Sequence, residues 1–116
     1  MTTATQAFDL AEVQDALNEA GIQARTASKA MYQKYGDWGS CGFAHVEVYG
    51  VRSNSRLGKA LQSAGFYRSY DGCLKLNNPG QMAVQSVAVA EAGAEAYAQI
   101  LSDRLEIRAY AGSRLD

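Results

Sequence analysis

A chain of 116 residues, 47% hydrophobic and 20% charged, has the size and balance of one packed domain, which excludes a fibrous repeat and a disordered segment. The net charge is -1, and Met1 to Phe8 carry no basic cluster followed by an apolar run, so neither export nor membrane insertion is expected. Cys41 and Cys73 stand 32 positions apart without a C-x-x-C pair, which fits reduced thiols in a cytoplasmic protein better than a disulfide framework.

The first predicted element is a helix. Asp9 can accept from the free N–H groups of a first turn, Glu12 follows three residues later as its capping-box partner, and Phe8 with Val13 are placed for a hydrophobic staple. Leu10, Val13, Leu17 and Ala20 form an apolar stripe at helical spacing. Gly21 then Ile22 reads as a left-handed stop, so the helix is expected to end at Ala20. A weakly alternating strand is expected over Ile22–Thr26, and residues 28–41 are expected as an ordered loop in which 28–35 could be helical.

Phe43–Tyr49 alternates well and predicts a strand. A second helix is expected over about Ser55–Ala64, capped by Ser53, Asn54 or Ser55, with Leu57, Ala60, Leu61 and Ala64 on its apolar side. Its ending, Ala60 to Phe66, echoes Ala16 to Ile22, which reads as repeated cap chemistry rather than duplication. Tyr67 to Leu76 predicts a hairpin with Asp71 and Gly72 as a two-residue turn, pairing Tyr70 with Cys73 and Arg68 with Lys75. After a turn at Asn78, Pro79 and Gly80, a third helix is expected over about Val87–Ser102 and a last strand over Leu105–Tyr110.

From residue 42 the order is strand, helix, strand, strand, helix, strand. The predicted fold is therefore α+β, a two-layer sandwich with a ferredoxin-like β-α-β-β-α-β core over about 42–111. An extra N-terminal helix and weak strand precede it, all within a single domain, 1–116.

The side-chain alternation carries the functional expectation. If Ala44, Val46 and Val48 meet the helices, then Phe43, His45, Glu47 and Tyr49 turn the other way. The two-residue turn would add Arg68, Tyr70, Cys73 and Lys75 to that side and send Tyr67, Leu74 and Leu76 to the core. The last strand would add Glu106, Arg108 and Tyr110. The resulting platform is Phe43, His45, Tyr49, Arg68, Tyr70, Lys75, Arg108 and Tyr110. Rings on a flat sheet stack on unpaired bases while neighbouring cations attract phosphates, so single-stranded nucleic acid or another anionic partner is expected. Glu47 and Glu106 stand among the cations, and neither strand carries the aromatic-rich signature of RNA-recognition modules. The alternative is that the first helix or a second copy covers this face, the tyrosines serving as packing in a homodimer or a small-ligand-binding domain.

Charge is unevenly spread: residues 1–24 sum to -4, residues 25–78 to +5 and the remainder to -2. Such a pattern suits a polyanion partner for the middle segment, or complementary surfaces packed within one fold. A second candidate is the loop Arg52, Ser53, Asn54, Ser55 and Arg56. Free N–H groups and two guanidiniums could hold an anion there, although helix capping explains the serines and Asn54 equally well. Cys41, His45 and Cys73 share a predicted face, which leaves open a thiolate–imidazole pair or, with Asp37, a metal site. Their spacing matches no short-range ligand pattern, so the chain is read as non-enzymatic, with no catalytic residue, metal or cofactor assigned.

Four segments carry a resemblance: Tyr35-Gly36-Asp37-Trp38-Gly39, the strand Cys41 to Tyr49, Leu57-Gly58-Lys59-Ala60-Leu61, and the closing Ala109-Tyr110-Ala111-Gly112-Ser113-Arg114-Leu115-Asp116. Over about residues 32–116 the chain resembles small uncharacterised proteins of phages and marine bacteria. That family has no assigned activity and so no functional residues to carry over. The resemblance implies a viral or environmental source and an accessory role in binding host protein or nucleic acid.

Overall fold

The computed structural model describes residues 9–37, 39–83 and 85–115, so the staple at Phe8, the side chain of Trp38 and the terminal Asp116 lie outside the described residues. The Asp9 carboxylate accepts the Glu12 N–H at 2.8 Å and caps α1, which spans Leu10–Tyr35. The helix does not stop at Gly21. Ala16, Ala20, Ala24 and Ser28 recur every fourth residue and are fully buried, forming one seam of small side chains. Past Gly21 the seam gains the buried Ala24 methyl, about 0.8 kcal/mol, and the buried Ser28 hydrogen bond to the Val89 carbonyl, about 1 kcal/mol, which together outweigh the roughly 1 kcal/mol that a mid-helix glycine costs. The weak strand expected over Ile22–Thr26 is therefore helical, and much of the expected 28–41 loop is too. The end comes at Gly36, in the left-handed region with φ 70°, whose N–H donates to the Tyr32 carbonyl at 2.7 Å.

The elements that follow are β1 (Gly42–Tyr49), α2 (Arg56–Ser63), β2 (Tyr67–Arg68), β3 (Leu74–Asn77), α3 (Val87–Leu105) and β4 (Arg108–Leu115). Among the described residues this is an α+β arrangement of three helices and one four-stranded antiparallel sheet, in the strand order β2-β3-β1-β4. The echo of Ala16–Ile22 in Ala60–Phe66 has a different outcome. Here Gly65 does take a left-handed φ of 111°, and the Phe66 N–H closes the helix on the Leu61 carbonyl at 3.1 Å. Phe66 then buries its ring against Tyr97, centroids 5.9 Å apart, whereas Ile22 is exposed. A glycine stop acts when the next residue has a hydrophobic contact to reach.

Two boundaries shift the sheet away from expectation. First, α3 continues past Ser102 to Leu105, and Glu106 closes it as a left-handed cap with φ 55°. Leu105 and Ile107 are buried as expected, but Glu106 is not an outward strand residue and β4 starts only at Arg108. Second, the hairpin has a three-residue loop. The Ser69 N–H donates to the Cys73 carbonyl at 2.8 Å, the Gly72 N–H to the Ser69 carbonyl at 2.9 Å, and Gly72 has φ 97°. The register is Tyr67 with Lys75 and Arg68 with Leu74, so the expected pairs Tyr70–Cys73 and Arg68–Lys75 do not form. One residue of slip exchanges the faces. Tyr67 leaves the core side, Arg68 joins the side of Leu74, and Tyr70 stands fully exposed at the loop tip.

Along β1, Ala44, Val46 and Val48 are buried with Leu74 and Ala109 in one cluster that includes Tyr97, Ala98, Leu101 and Leu105 of α3. α3 lies against β1 and β4, and α1 runs antiparallel along α3. At one end of that helix pair the Ser28 hydroxyl donates to the Val89 carbonyl at 2.8 Å. At the other, Arg104 pairs with Glu19 at 2.7 Å and Asp15 at 3.1 Å. Asp37, just past α1, accepts the N–H groups of Gln85 and Ser86 and so ties the end of the first helix to the cap of the last. Gly80 and Gly93 close around Ser28; a Cβ on Gly93 would stand 2.5 Å from the Ser28 hydroxyl and 2.9 Å from the Gly80 backbone.

A Cβ on Gly80 would collide with the Ser28 side chain. Gly80→Ala should therefore lower stability by about 1–3 kcal/mol, and adding Ser28→Gly should recover part of the loss. Urea denaturation of the parent and both variants checks this.

Candidate nucleic-acid interface

β1 is paired on both sides, so its outward alternation sets the open face. Phe43, His45, Glu47 and Tyr49 project there. The β4 register adds Tyr110 opposite Glu47, Arg108 opposite Tyr49, Gly112 opposite His45 and Arg114 opposite Phe43. β3 adds Lys75 opposite Glu47 and Asn77 opposite His45, and β2 adds Tyr67 beside Lys75. Four rings lie exposed on this face: Phe43 (56%), Tyr49 (37%), Tyr67 (44%) and Tyr110 (54%). Tyr49 and Tyr110 sit 5.9 Å apart between centroids, tilted at 54°, and the Arg114 guanidinium lies 5.6 Å over the Phe43 ring.

Six of the eight expected platform residues, Phe43, His45, Tyr49, Lys75, Arg108 and Tyr110, do share this face. Arg68 and Tyr70 do not, because of the three-residue hairpin loop, while Tyr67 and Arg114 belong to it and were missed. A loop reading that placed Gly72 at its third, left-handed position would have found Tyr67. Following the period-two alternation of Arg108, Tyr110, Gly112 and Arg114 past residue 110 would have found Arg114.

The centre of the face is a small polar network. The His45 imidazole meets one Glu47 oxygen through Nε2 at 2.6 Å, and the Tyr49 hydroxyl donates to the other at 2.5 Å. Gly112 makes room for it, since a Cβ there would stand 2.6 Å from His45 Nε2. The Tyr49 bond, and then the His45 bond, hold the Glu47 carboxyl below its ordinary value against the opposing effect of partial burial. The same Tyr49–Glu47 bond pushes the Tyr49 phenol well up, keeping it a donor. Glu47 therefore faces the cations with both oxygens engaged, and Glu106 is absent from this face. Lys75 reaches Asp71 at 3.6 Å, and the Arg108 guanidinium lies over Gly50, 3.0 Å from where a Cβ would be.

In the loop before α2, Ser55 is committed to capping: its hydroxyl accepts the Gly58 N–H at 3.0 Å and donates to the Arg52 carbonyl at 2.7 Å. Arg52, Ser53 and Asn54 line an open groove of about 660 Å³ together with Gly50 and Arg68, whereas Arg56 begins α2 outside that lining. The Arg68 guanidinium donates to the Ser53 hydroxyl at 3.4 Å.

The thiol chemistry left open by the sequence has no geometry to support it. Cys41 and His45 are four residues apart along one extended segment, roughly 13 Å. Cys73 is buried, and burial, followed by Asp71, pushes its thiol up rather than toward thiolate. Asp37 is engaged by backbone N–H groups, and among the described residues no three His, Cys, Asp or Glu side chains gather as metal ligands.

Because the Glu47 carboxyl is lowered in the fold, its ionised form adds stability above the ordinary value of 4.5, and that stability is lost as the pH falls through the lowered value. Glu47→Gln should be less stable than the parent at neutral pH by about 1 kcal/mol after solvent screening and should match it in strong acid, as read by denaturation across that pH range. No family model matches this chain, and neither the curated proteins nor the solved structures contain a match to it.

Proposed function

We propose that the open face of the sheet binds single-stranded nucleic acid. The observation that carries this is the sharing of one face by the exposed rings of Phe43, Tyr49, Tyr67 and Tyr110 with Lys75, Arg108 and Arg114. Every base has a π-face, so rings spaced along a sheet hold a strand without reading its sequence, while guanidinium and ammonium groups take its phosphates. The one carboxylate among them, Glu47, is occupied by His45 and Tyr49. The role is one of binding rather than catalysis.

A ferredoxin-like core is part of the proposal. It is supported by the β-α-β-β-α-β order from Gly42 to Leu115 and by the strand order β2-β3-β1-β4, with the helices packed on the side opposite the rings. Two unpaired thiols suit a cytoplasmic setting, and no helix of the described residues is long and apolar enough to cross a membrane. A phage-type accessory role rests on the family resemblance alone.

The second reading is a homodimer that pairs this face with its copy. The same exposed rings favour it, since a sheet surface rich in tyrosine also suits self-association. Light scattering separates the two: a monomer with and without oligonucleotide removes the dimer.

Fluorescence anisotropy with a labelled oligothymidylate and oligouridylate at low salt tests the main proposal. Phe43→Ala or Tyr110→Ala should each weaken binding by about 5- to 100-fold, and Arg108→Ala should also lower the salt slope by about 0.7. Binding that none of the three alters would overturn it.

A further inference from the structure

We infer that the groove beside the platform is a phosphate-binding extension of it, so that a bound strand leaves the rings at the Gly50 end of β1 and enters between Arg52 and Arg68. This inference rests on the proposed nucleic-acid reading and adds where the strand goes. Three contacts connect the surfaces. Tyr110 packs on Tyr49, Arg108 stands opposite Tyr49 in the register, and its guanidinium lies over Gly50, which itself lines the groove. The far wall is Arg68, placed there by the hairpin register that removed it from the ring-bearing face, and its bond to the Ser53 hydroxyl aims it at the groove.

The charge is unspent. Among the described residues, no carboxylate lies within ion-pairing distance of Arg52, Arg68 or Arg108, whereas Arg104 is fully paired and Lys75 has Asp71. Asp71, next to the Gly72 that lines the groove, is the nearest acid by sequence, and its carboxylate is engaged by Cys73 and Lys75. An open groove with three unpaired guanidiniums at and beside it suits successive phosphodiesters of a passing strand better than one small anion, which calls for an enclosing cradle of N–H donors. From Phe43 to Gly50 the platform is roughly 23 Å long, so a trinucleotide is taken up by the rings alone, whereas a strand that also enters the groove must run on past Gly50.

The test compares oligothymidylates of about three and about ten nucleotides on the full chain, with the parent, Arg52→Ala/Arg68→Ala and Ser53→Ala. The parent should bind the longer strand at least tenfold more tightly. The double variant should bind the short strand like the parent, lose most of that gain, and show a salt slope on the long strand lower by about 1.4. Ser53→Ala, which removes the bond that aims Arg68 but no charge, should keep the parental salt slope and lose only part of the gain. A double variant with the parental gain and salt slope would overturn the groove and leave the platform standing. So would inorganic phosphate that displaces the long strand from the parent at the concentration where it binds alone, since the groove would then hold a free anion. A parent that fails to bind even the short strand removes the platform and the groove together.

Discussion

The close contact of α1 with α3 is the constraint on which the rest depends. It is made of very small groups: Ala16, Ala20, Ala24 and Ser28 on one helix, Gly93 and Ala94 on the other, with Gly80 wedged at the crossing. Such side chains contribute little individually, but they let two backbones approach until the Ser28 hydroxyl reaches a carbonyl of the opposite helix. The approach is secured at both ends, by Arg104 on Glu19 and Asp15 and by Asp37 on the backbone before α3. Held this way, α3 presents Tyr97, Ala98, Leu101 and Leu105 to the sheet, which commits Ala44, Val46 and Val48 to the core. The opposite alternation is then left for solvent.

That division explains which parts were legible. The start of α1, the span of β1 and the extent of α2 follow from local chemistry: an Asp cap, strict period-two alternation, a serine before an apolar stripe. The continuation of α1 past Gly21 was not legible, because alanines at four-residue spacing look weakly apolar until a partner of equal slenderness is known. The same Ala-Gly-apolar ending stopped α2, where Phe66 finds Tyr97, and failed to stop α1, where Ile22 finds no core. At the hairpin, Asp71-Gly72 was correctly read as turn chemistry, but the loop length decides the register, and one residue there moved Tyr67 and Arg68 to opposite faces. Six of the eight expected residues still share the open face because its central strand does not depend on the turn.

The chemistry of the open face is a balance between exposure and order. Tyr49 is fixed by Glu47 and by contact with Tyr110, and Phe43 is covered in part by Arg114, so these rings lose less freedom on meeting a ligand than unsupported side chains would. The His45–Glu47–Tyr49 network fixes the position of the one carboxylate in the middle of the surface. Gly112 is the residue that allows this, because any side chain there would displace the imidazole.

The tie between Ser28 and Val89 spans 61 positions of sequence. During synthesis at roughly 5–20 residues per second, the first helix therefore leaves the ribosome several seconds before the surface that shelters its small-residue seam. Until then it is an orphan, with Asp15 and Glu19 awaiting Arg104. Without the residues from Val89 onward, the seam has no partner helix to cover it.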